Sequence, residues 1–152
     1  MSEVANLERL IVVGIDGSST SKDALRWAAR QAELTGASLQ AVTTWHLPVF
    51  IYGPGMLPFP ADLDLGQESR LALDQIVTEV LGDHPKVKIS TLVIEGHPAV
   101  QLLKAAEHAE LLVVGSRGHG AYAGMLLGSV SEHCVTHSPC PVVVIRHTDE
   151  SA

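Results

Sequence analysis

The sequence lacks several features that mark common classes of protein. Aromatic residues make up only 4% of the chain, so its core must be built from Ala, Val, Leu and Ile. Cysteine occurs only twice, which argues against a disulfide-rich secreted scaffold. No apolar run approaches the ~18–20 residues of a membrane-spanning helix. The first apolar run is short and follows acidic residues, so we expect no signal peptide and a cytoplasmic protein.

Positive charge is also scarce. Lys and Arg number 10 against 17 Asp and Glu, which gives a formal net charge of −7. A general binder of nucleic acid or of anionic membranes needs a basic face, so we expect neither kind of partner. A local anion site made of backbone N–H groups is still compatible with this charge, because such a site needs no formal positive charge.

The chain does contain short apolar runs that alternate with amphipathic helical segments. The first run, Leu10–Ile15, is nearly continuous and β-branched, as in strands that are buried on both faces. Four further strands are predicted at 38–44, 86–94, 110–114 and 141–146. Strands that alternate with helices indicate a parallel sheet with helices on both faces. We expect one α/β domain over residues 1–152, with its core at about 8–147.

Capping signals predict where two of the helices begin. The pattern Thr20-x-x-Asp23 predicts a helix that opens at Thr20, and Gly36 is a natural residue at which to end it. The pattern Ser129-x-x-Glu132 predicts a later helix with Ser129 as its capping residue. The hydroxyl of a capping serine still has a proton to donate, so Ser129 is expected to be able to contact a ligand.

The clearest chemical motif follows the fourth predicted strand. It reads Gly115-x-x-Gly118, then nine residues, then Gly128-Ser129. Glycine lets the backbone approach an anion closely, and the first N–H groups of the helix after Gly128 lack intrahelical partners and favour negative charge. The spacing therefore predicts a phosphate site with two patches of backbone donors. A loop whose glycines serve only its turns is the alternative explanation.

Two other nucleotide motifs fit the sequence less well. A P-loop requires Gly-x4-Gly-Lys-Ser/Thr, and the chain has no lysine in such a position. The segment Gly118-x-Gly120-x-x-Ala123 fits the dinucleotide fingerprint, but it follows the fourth strand rather than the first. No acidic residue lies about twenty positions after it, as that fingerprint requires. Neither an NTPase P-loop nor a dinucleotide site is expected.

Metal binding and catalysis are not favoured by the side chains present. His133, Cys134, His137 and Cys140 most resemble metal ligands, but they lack the recognisable pairs of zinc sites. We expect them to be buried thiols and helix histidines, and we expect no metal site. No nucleophile has an evident activating base, so no catalytic residue is predicted and binding is favoured over turnover.

The chain resembles the universal stress protein family, in its UspA-like, single-domain, ATP-binding subgroup. The resembling segments are Ile11–Ser18, Glu110–Gly118, Leu127–Val130 and Cys140–Ile145. The family's ATP motif, Gly-x2-Gly-x9-Gly-Ser/Thr, is matched by Gly115, Gly118, Gly128 and Ser129. The resemblance implies a three-layer α/β/α fold that is Rossmann-like and adenine nucleotide alpha hydrolase-like. It also implies five parallel strands in the order 3-2-1-4-5.

The resemblance further implies a site for ATP, with or without Mg²⁺, where the strand order reverses between strands 1 and 4. Asp16 would hydrogen-bond the ribose, with Gly17 in the same turn, and the backbone of Val42 would meet the adenine. From its residue type alone, Asp16 is better explained by an Asx turn or a helix N-cap. The phosphates would be held by Gly115, Ser116, Arg117, Gly118, Gly128, Ser129 and Val130.

The function implied by the resemblance is that of a dimeric stress-response or signalling module. Two copies would pair through the last strand, 141–146, unless Pro141 and the polar tail blunt that edge. At most slow ATP hydrolysis is expected. A nucleotide-independent dimeric interaction module and a cyclic AMP-binding protein stay open as alternatives, since adenine and ribose contacts would serve ATP, AMP and cyclic AMP alike. The apolar, proline-rich loop at 46–62 is a candidate lid or partner surface.

Overall fold

The computed structural model describes residues 8–46, 64–117 and 127–146. The strands are β1 Leu10–Gly14, β2 Ser38–Trp45, β3 Ile89–Glu95, β4 Leu111–Gly115 and β5 Val142–Ile145. The helices are α1 Ser19–Thr35, α2 Leu65–Leu81, α3 Pro98–Ala105 and α4 Ser129–His137. A short 3₁₀ turn, Ala106–His108, follows α3. The predicted alternation of strands and helices is confirmed.

The five strands form one parallel sheet in the order β3-β2-β1-β4-β5. The first strand pairs with β2 on one side and with β4 on the other. The chain therefore winds outward from β1 in one direction and then, from β4 onward, in the other. This confirms the expected fold class and places the topological switch point between β1 and β4. The edges of the sheet are β3 and β5.

Helices cover both faces of this sheet. Ile11 and Val13 of β1 pack in one buried cluster with side chains of α1 and α2, whereas Val12 packs in another with Leu102 of α3 and Cys134 of α4. Because successive side chains of a strand point to opposite faces, this alternation produces three layers. Burying one such aliphatic side chain contributes roughly 1.5–3 kcal/mol, so these two clusters account for much of the stabilisation.

Small residues let α1 lie close to the sheet. Ala24, Ala28 and Ala32, spaced four residues apart on one face of the helix, are between 0% and 1% exposed. The helix ends at Gly36 as predicted, in a left-handed conformation with φ of +77°. The Gly36 N–H donates to the Ala32 carbonyl at 2.9 Å and so pairs one of the last carbonyls of the helix.

Both predicted capping residues are wrong by one or two positions. The cap of α1 is Ser18, not Thr20: its backbone is extended and its Oγ accepts from the Ser21 N–H at 3.3 Å. The cap of α4 is Gly128, and Ser129 is already the first helical residue. Serine and threonine recur at and inside both helix starts, so the residue pattern alone could not separate the capping position from its neighbours.

None of the helices in the three described ranges is long and apolar enough to cross a membrane. The longest of them, α1 and α2, have 17 residues each, and each buries one face against the sheet.

Candidate functional site

The end of β1 and the end of β4 lie side by side at the switch point. Each strand continues its pairing for one residue beyond its last position: the Ile15 N–H donates to the Val42 carbonyl at 2.8 Å, and the Ser116 N–H donates to the Ile145 carbonyl at 2.7 Å. Asp16 therefore leaves the sheet after β1 next to the point where Arg117 leaves it after β4. This crevice, outside the carboxyl ends of the strands, is where ligands bind in open α/β sheets.

Asp16 is exposed and forms the turn that leads into α1. Its Oδ1 accepts from the Ser18 N–H at 2.9 Å and from the Ser18 hydroxyl. This is the Asx turn that its residue type predicts. Gly17, between the two residues, has a φ of +86°, a conformation that glycine adopts without strain. An ionised carboxylate accepts about four hydrogen bonds, so the turn and a ribose contact are compatible.

Gly115, the first glycine of the motif, packs directly against the first turn of α1. A Cβ atom at this position would lie 2.7 Å from Thr20 Oγ1 and 2.9 Å from the Thr20 backbone carbon. Real Cβ atoms do not approach backbone this closely, so the contact requires glycine. The residue therefore has a structural role in the joint between β4 and α1, beside the ligand role that the motif predicts.

Two buried hydroxyls hold the segment that leaves β4. The Thr20 hydroxyl, on a residue 6% exposed, donates to the Arg117 carbonyl. The Ser116 carbonyl accepts from the Ser131 hydroxyl at 2.9 Å and from the Gly128 N–H at 2.7 Å. These contacts tie the end of β4 to the starts of both α1 and α4.

Thr20 and Ser131 are not predicted from the sequence to have this role. The available signal was polar residues on buried faces: Thr20 precedes Ala24 by four positions, and Ser131 precedes Cys134 by three. A buried hydroxyl at such a position needs a partner, and the partner here is the backbone of the motif.

The start of α4 supplies the second patch of donors. Gly128 is buried at the cap position, and no side-chain cap bond is formed there. The first intrahelical bond is made by Glu132, whose N–H donates to the Gly128 carbonyl at 2.9 Å. The N–H groups of the preceding turn, beginning with exposed Ser129 and half-buried Val130, therefore lack intrahelical acceptors. With the helix dipole, this turn favours an anion.

The structure describes the other predicted site residues unevenly. Val42 lies inside β2, with its side chain 1% exposed and its carbonyl accepting from Ile15, so any contact with adenine would use the carbonyl's second lone pair. The Arg117 side chain is half-buried. Gly118 lies outside the described residues, as does the 46–62 loop apart from His46.

The histidines and cysteines near α4 point in different directions. His133 and His137 are exposed, with ring centroids 4.6 Å apart, whereas Cys134 is fully buried. Burial raises the pKa of the Cys134 thiol to about 11, so it is a protonated thiol at neutral pH and a poor metal ligand. Across the described ranges, no group of three or more His, Cys, Asp or Glu side chains could hold a metal ion.

Comparison with known proteins agrees with this geometry. Residues 9–146 match the family model described as the universal stress protein family. Universal stress protein Rv2623 of Mycobacterium tuberculosis (strain ATCC 25618 / H37Rv) is 36% identical over 142 residues, which cover 91% of this chain and 45% of that protein. The chain thus spans about half the length of the curated relatives that it matches.

Solved structures share the fold. A universal stress protein in complex with cAMP has 27% identity and a TM-score of 0.66, and the match covers 91% of this chain and 97% of that one. Hypothetical protein MJ0577 has a TM-score of 0.74 at 20% identity, which shows the likeness of the fold, over 95% of this chain and all of the other. With the strand order, the crevice and the matched residues in agreement, the chain belongs to the universal stress protein family.

Proposed function

We propose that this chain binds ATP, or another adenine nucleotide, in the crevice between β1 and β4, and that it acts as a dimeric module in the stress response of the cytoplasm. Membership of the family supports this proposal. In the proposed complex, Asp16 and Gly17 face the ribose, and the Val42 carbonyl faces the adenine. The phosphates lie against Gly115–Gly118 and the start of α4, with Mg²⁺ as their counter-ion.

One observation carries the phosphate assignment. The Gly128 N–H donates to the Ser116 carbonyl at 2.7 Å, so residues twelve positions apart in the chain are in contact. This bond sets the first turn of α4, which has no side-chain cap bond, beside the end of β4. Both segments offer backbone donors, which add no formal charge, and Arg117 is the one cationic side chain at the described end of β4; this suits a phosphate site in a chain with a net charge of −7.

Cyclic AMP is the second candidate ligand, because the 27%-identical universal stress protein was solved in complex with cAMP. Adenine and ribose contacts would be common to both nucleotides, whereas the phosphate chain of ATP would make further contacts with α4. Competition between ATP and cyclic AMP for one site distinguishes the two. Preference for ATP is expected if the α4 turn binds the phosphates beyond the first.

We also propose a homodimer through β5. This strand is a sheet edge, its four residues Val142–Ile145 are all apolar, and each is only half-buried in the single chain. An exposed apolar edge is a liability that pairing with a second copy would remove.

Two serines provide the sharpest test of the phosphate assignment. Ser129 is the exposed first residue of α4, and Ser19 is the exposed first residue of α1, so each is replaced by Ala at an equivalent helix position. We expect Ser129→Ala to weaken ATP binding about ten- to a hundredfold, since a hydrogen bond to a charged group contributes roughly 1.5–3 kcal/mol. Ser19→Ala should leave it unchanged.

The measurement is a calorimetric titration of each purified variant with ATP in Mg²⁺, together with mass spectrometry of any nucleotide that co-purifies with the wild type. Equal affinities for the two variants would remove Ser129 from the site. A wild-type chain that carries no nucleotide and gives no heat with ATP, AMP or cyclic AMP would reject the proposed function.

A further inference from the structure

We infer that Thr20 is a positioning residue for phosphate binding: its buried hydroxyl holds the carbonyl of Arg117 and so fixes the backbone at the start of the glycine motif, residues 115–117. This inference rests on the proposed nucleotide site and goes beyond it, because Thr20 lies on α1, outside the motif. It concerns how the donors after β4 are held, and Thr20 itself contacts no ligand in this scheme.

The contacts of Thr20 join the start of α1 to the end of β4. The residue is 6% exposed, and its hydroxyl donates to the Arg117 carbonyl across 97 positions of sequence. The neighbouring Gly115 lacks the Cβ atom that would push Thr20 away, because that atom would lie 2.7 Å from Thr20 Oγ1. The close approach of β4 to α1 and the hydrogen bond thus depend on the same pair of residues.

Holding a carbonyl also fixes the N–H that shares its peptide plane, because the peptide group is planar and rigid. The Ser116 carbonyl is held by Ser131 and Gly128, and the Arg117 carbonyl is held by Thr20. The Arg117 N–H, which shares a plane with the Ser116 carbonyl, is therefore held on one side of the residue and the Arg117 carbonyl on the other, so the Arg117 backbone is ordered before any ligand arrives. A phosphate site made of backbone donors gains affinity when its donors are ordered in advance, since binding then costs less conformational entropy.

The action of Thr20 is separable from that of Asp16. The Ser18 hydroxyl has one proton, which it donates to Asp16, and the Thr20 hydroxyl has one proton, which it donates to Arg117. The two hydroxyl oxygens are 3.4 Å apart, but neither has a second proton to give the other. The ribose side and the phosphate side of the crevice are thus held by separate hydrogen bonds.

The test compares ATP with adenosine, which has the same base and sugar but no phosphate. Thr20→Val keeps the shape of the side chain and removes the hydroxyl, and Thr20→Ser keeps the hydroxyl. The matched control is Thr35→Val on the same helix, where the lost hydroxyl donates to the Gln31 carbonyl at 2.9 Å, far along the helix from the crevice. Calorimetry gives the affinity of each variant for both ligands.

We expect Thr20→Val to weaken ATP binding about five- to tenfold, the scale of one net hydrogen bond, and to leave adenosine binding unchanged. Thr20→Ser should retain the wild-type ratio of the two affinities, and Thr35→Val should too. A merely structural role for Thr20 would weaken both ligands equally or only lower the melting temperature.

Other outcomes contradict the inference. If Thr20→Val keeps the wild-type preference for ATP over adenosine, the inference fails while the proposed nucleotide site stands. If the wild type binds neither ligand, the proposed function fails and the inference fails with it. If Thr20→Val does not fold, Thr20→Ala, which also removes the hydroxyl, decides by the same ratio: an unchanged ratio overturns the inference.

Discussion

At the scale of single residues, Gly115 combines a packing role with its place in the motif. Because a Cβ atom would lie 2.9 Å from the Thr20 backbone, the Gly115→Ala variant must push β4 and α1 apart. Overpacking of this kind costs about 1–3 kcal/mol. We expect the free energy of unfolding, measured by urea titration without ligand, to fall by that amount. Unchanged stability would show that the joint tolerates a methyl group.

The two cysteines should differ in reactivity. Cys134 is fully buried with its thiol pKa raised to about 11, whereas Cys140 is half-buried. A thiol whose pKa is raised by burial from its ordinary 9.0 to about 11 is present as the reactive thiolate about a hundredfold less often near neutral pH. Iodoacetamide at pH 8 should modify Cys140 first and Cys134 only in denaturant, as read by peptide mass spectrometry. Equal labelling of the two cysteines in the native protein would contradict this prediction.

The motif glycines and Ser129 were recognisable from the sequence because their spacing along the chain is the signal. Thr20 and Ser131 were not, since their partners are carbonyls 97 and 15 positions away. A hydroxyl that bonds the backbone leaves no trace in the partner's residue type, because every residue has a carbonyl. Such contacts appear only when the chain has been folded.

At the scale of elements, the N-cap residues of α1 and α2 can be compared directly, because each accepts a hydrogen bond from a backbone N–H of its own helix. Ser18 accepts from the Ser21 N–H at 3.3 Å, and Asp64 accepts from the Gln67 N–H at 3.1 Å. Replacing either residue by Ala should lower the free energy of unfolding by about 1 kcal/mol. Only Ser18→Ala should also weaken nucleotide binding, because Ser18 donates to Asp16.

Thermal unfolding and ATP titration of both variants check this prediction. Asp64→Ala serves as the control for lost stability without a change at the crevice. If Ser18→Ala and Asp64→Ala bind ATP equally well, the Asx turn has no part in orienting Asp16 for the ligand.

The elements themselves were largely predictable, and their boundaries less so. Continuous β-branched runs indicated buried parallel strands, and the alternation with helices indicated two covered faces. The third strand begins at Ile89, three residues later than predicted. In the loop before it, Lys86 and Lys88 are exposed and each forms an ion pair with an acidic side chain. Local propensity could not distinguish that loop from the strand.

At the scale of the whole molecule, the orientation of β5 allows a test of the proposed dimer. The carbonyls of Pro141 and Ile145 accept from β4 and the residue that follows it. The backbone N–H and C=O groups of successive residues point to opposite sides of a strand. Those of Val142 and Val144 therefore point to the open edge of the sheet. Proline is tolerated at such edge positions, so Val144→Pro should remove an outward N–H and keep the fold.

The opposite edge provides the matched control. The carbonyl of Lys88, the residue just before β3, faces β2. Because backbone groups alternate along the strand, Thr91 directs its N–H and carbonyl outward. We expect Val144→Pro to be monomeric and Thr91→Pro to keep the wild-type oligomeric state in sedimentation experiments. A wild-type monomer, or a dimer in Val144→Pro, would exclude pairing through the β5 edge.

The strand order could not be read from local patterns, since every strand here is a short apolar run. It was expected from a family resemblance, and the register of β1 with both β2 and β4 now confirms it. The strand order matters for function, because the switch point exists only in the assembled sheet. Asp16 and Arg117, 101 positions apart, come to one crevice only through that topology.

The central claim is that this crevice binds an adenine nucleotide, and equilibrium dialysis of the full chain against ATP in Mg²⁺ tests it most directly. We predict saturable uptake of one nucleotide per chain, displaced by AMP and abolished when the protein is unfolded. No uptake of ATP, and none of AMP or cyclic AMP in parallel cells, would contradict it.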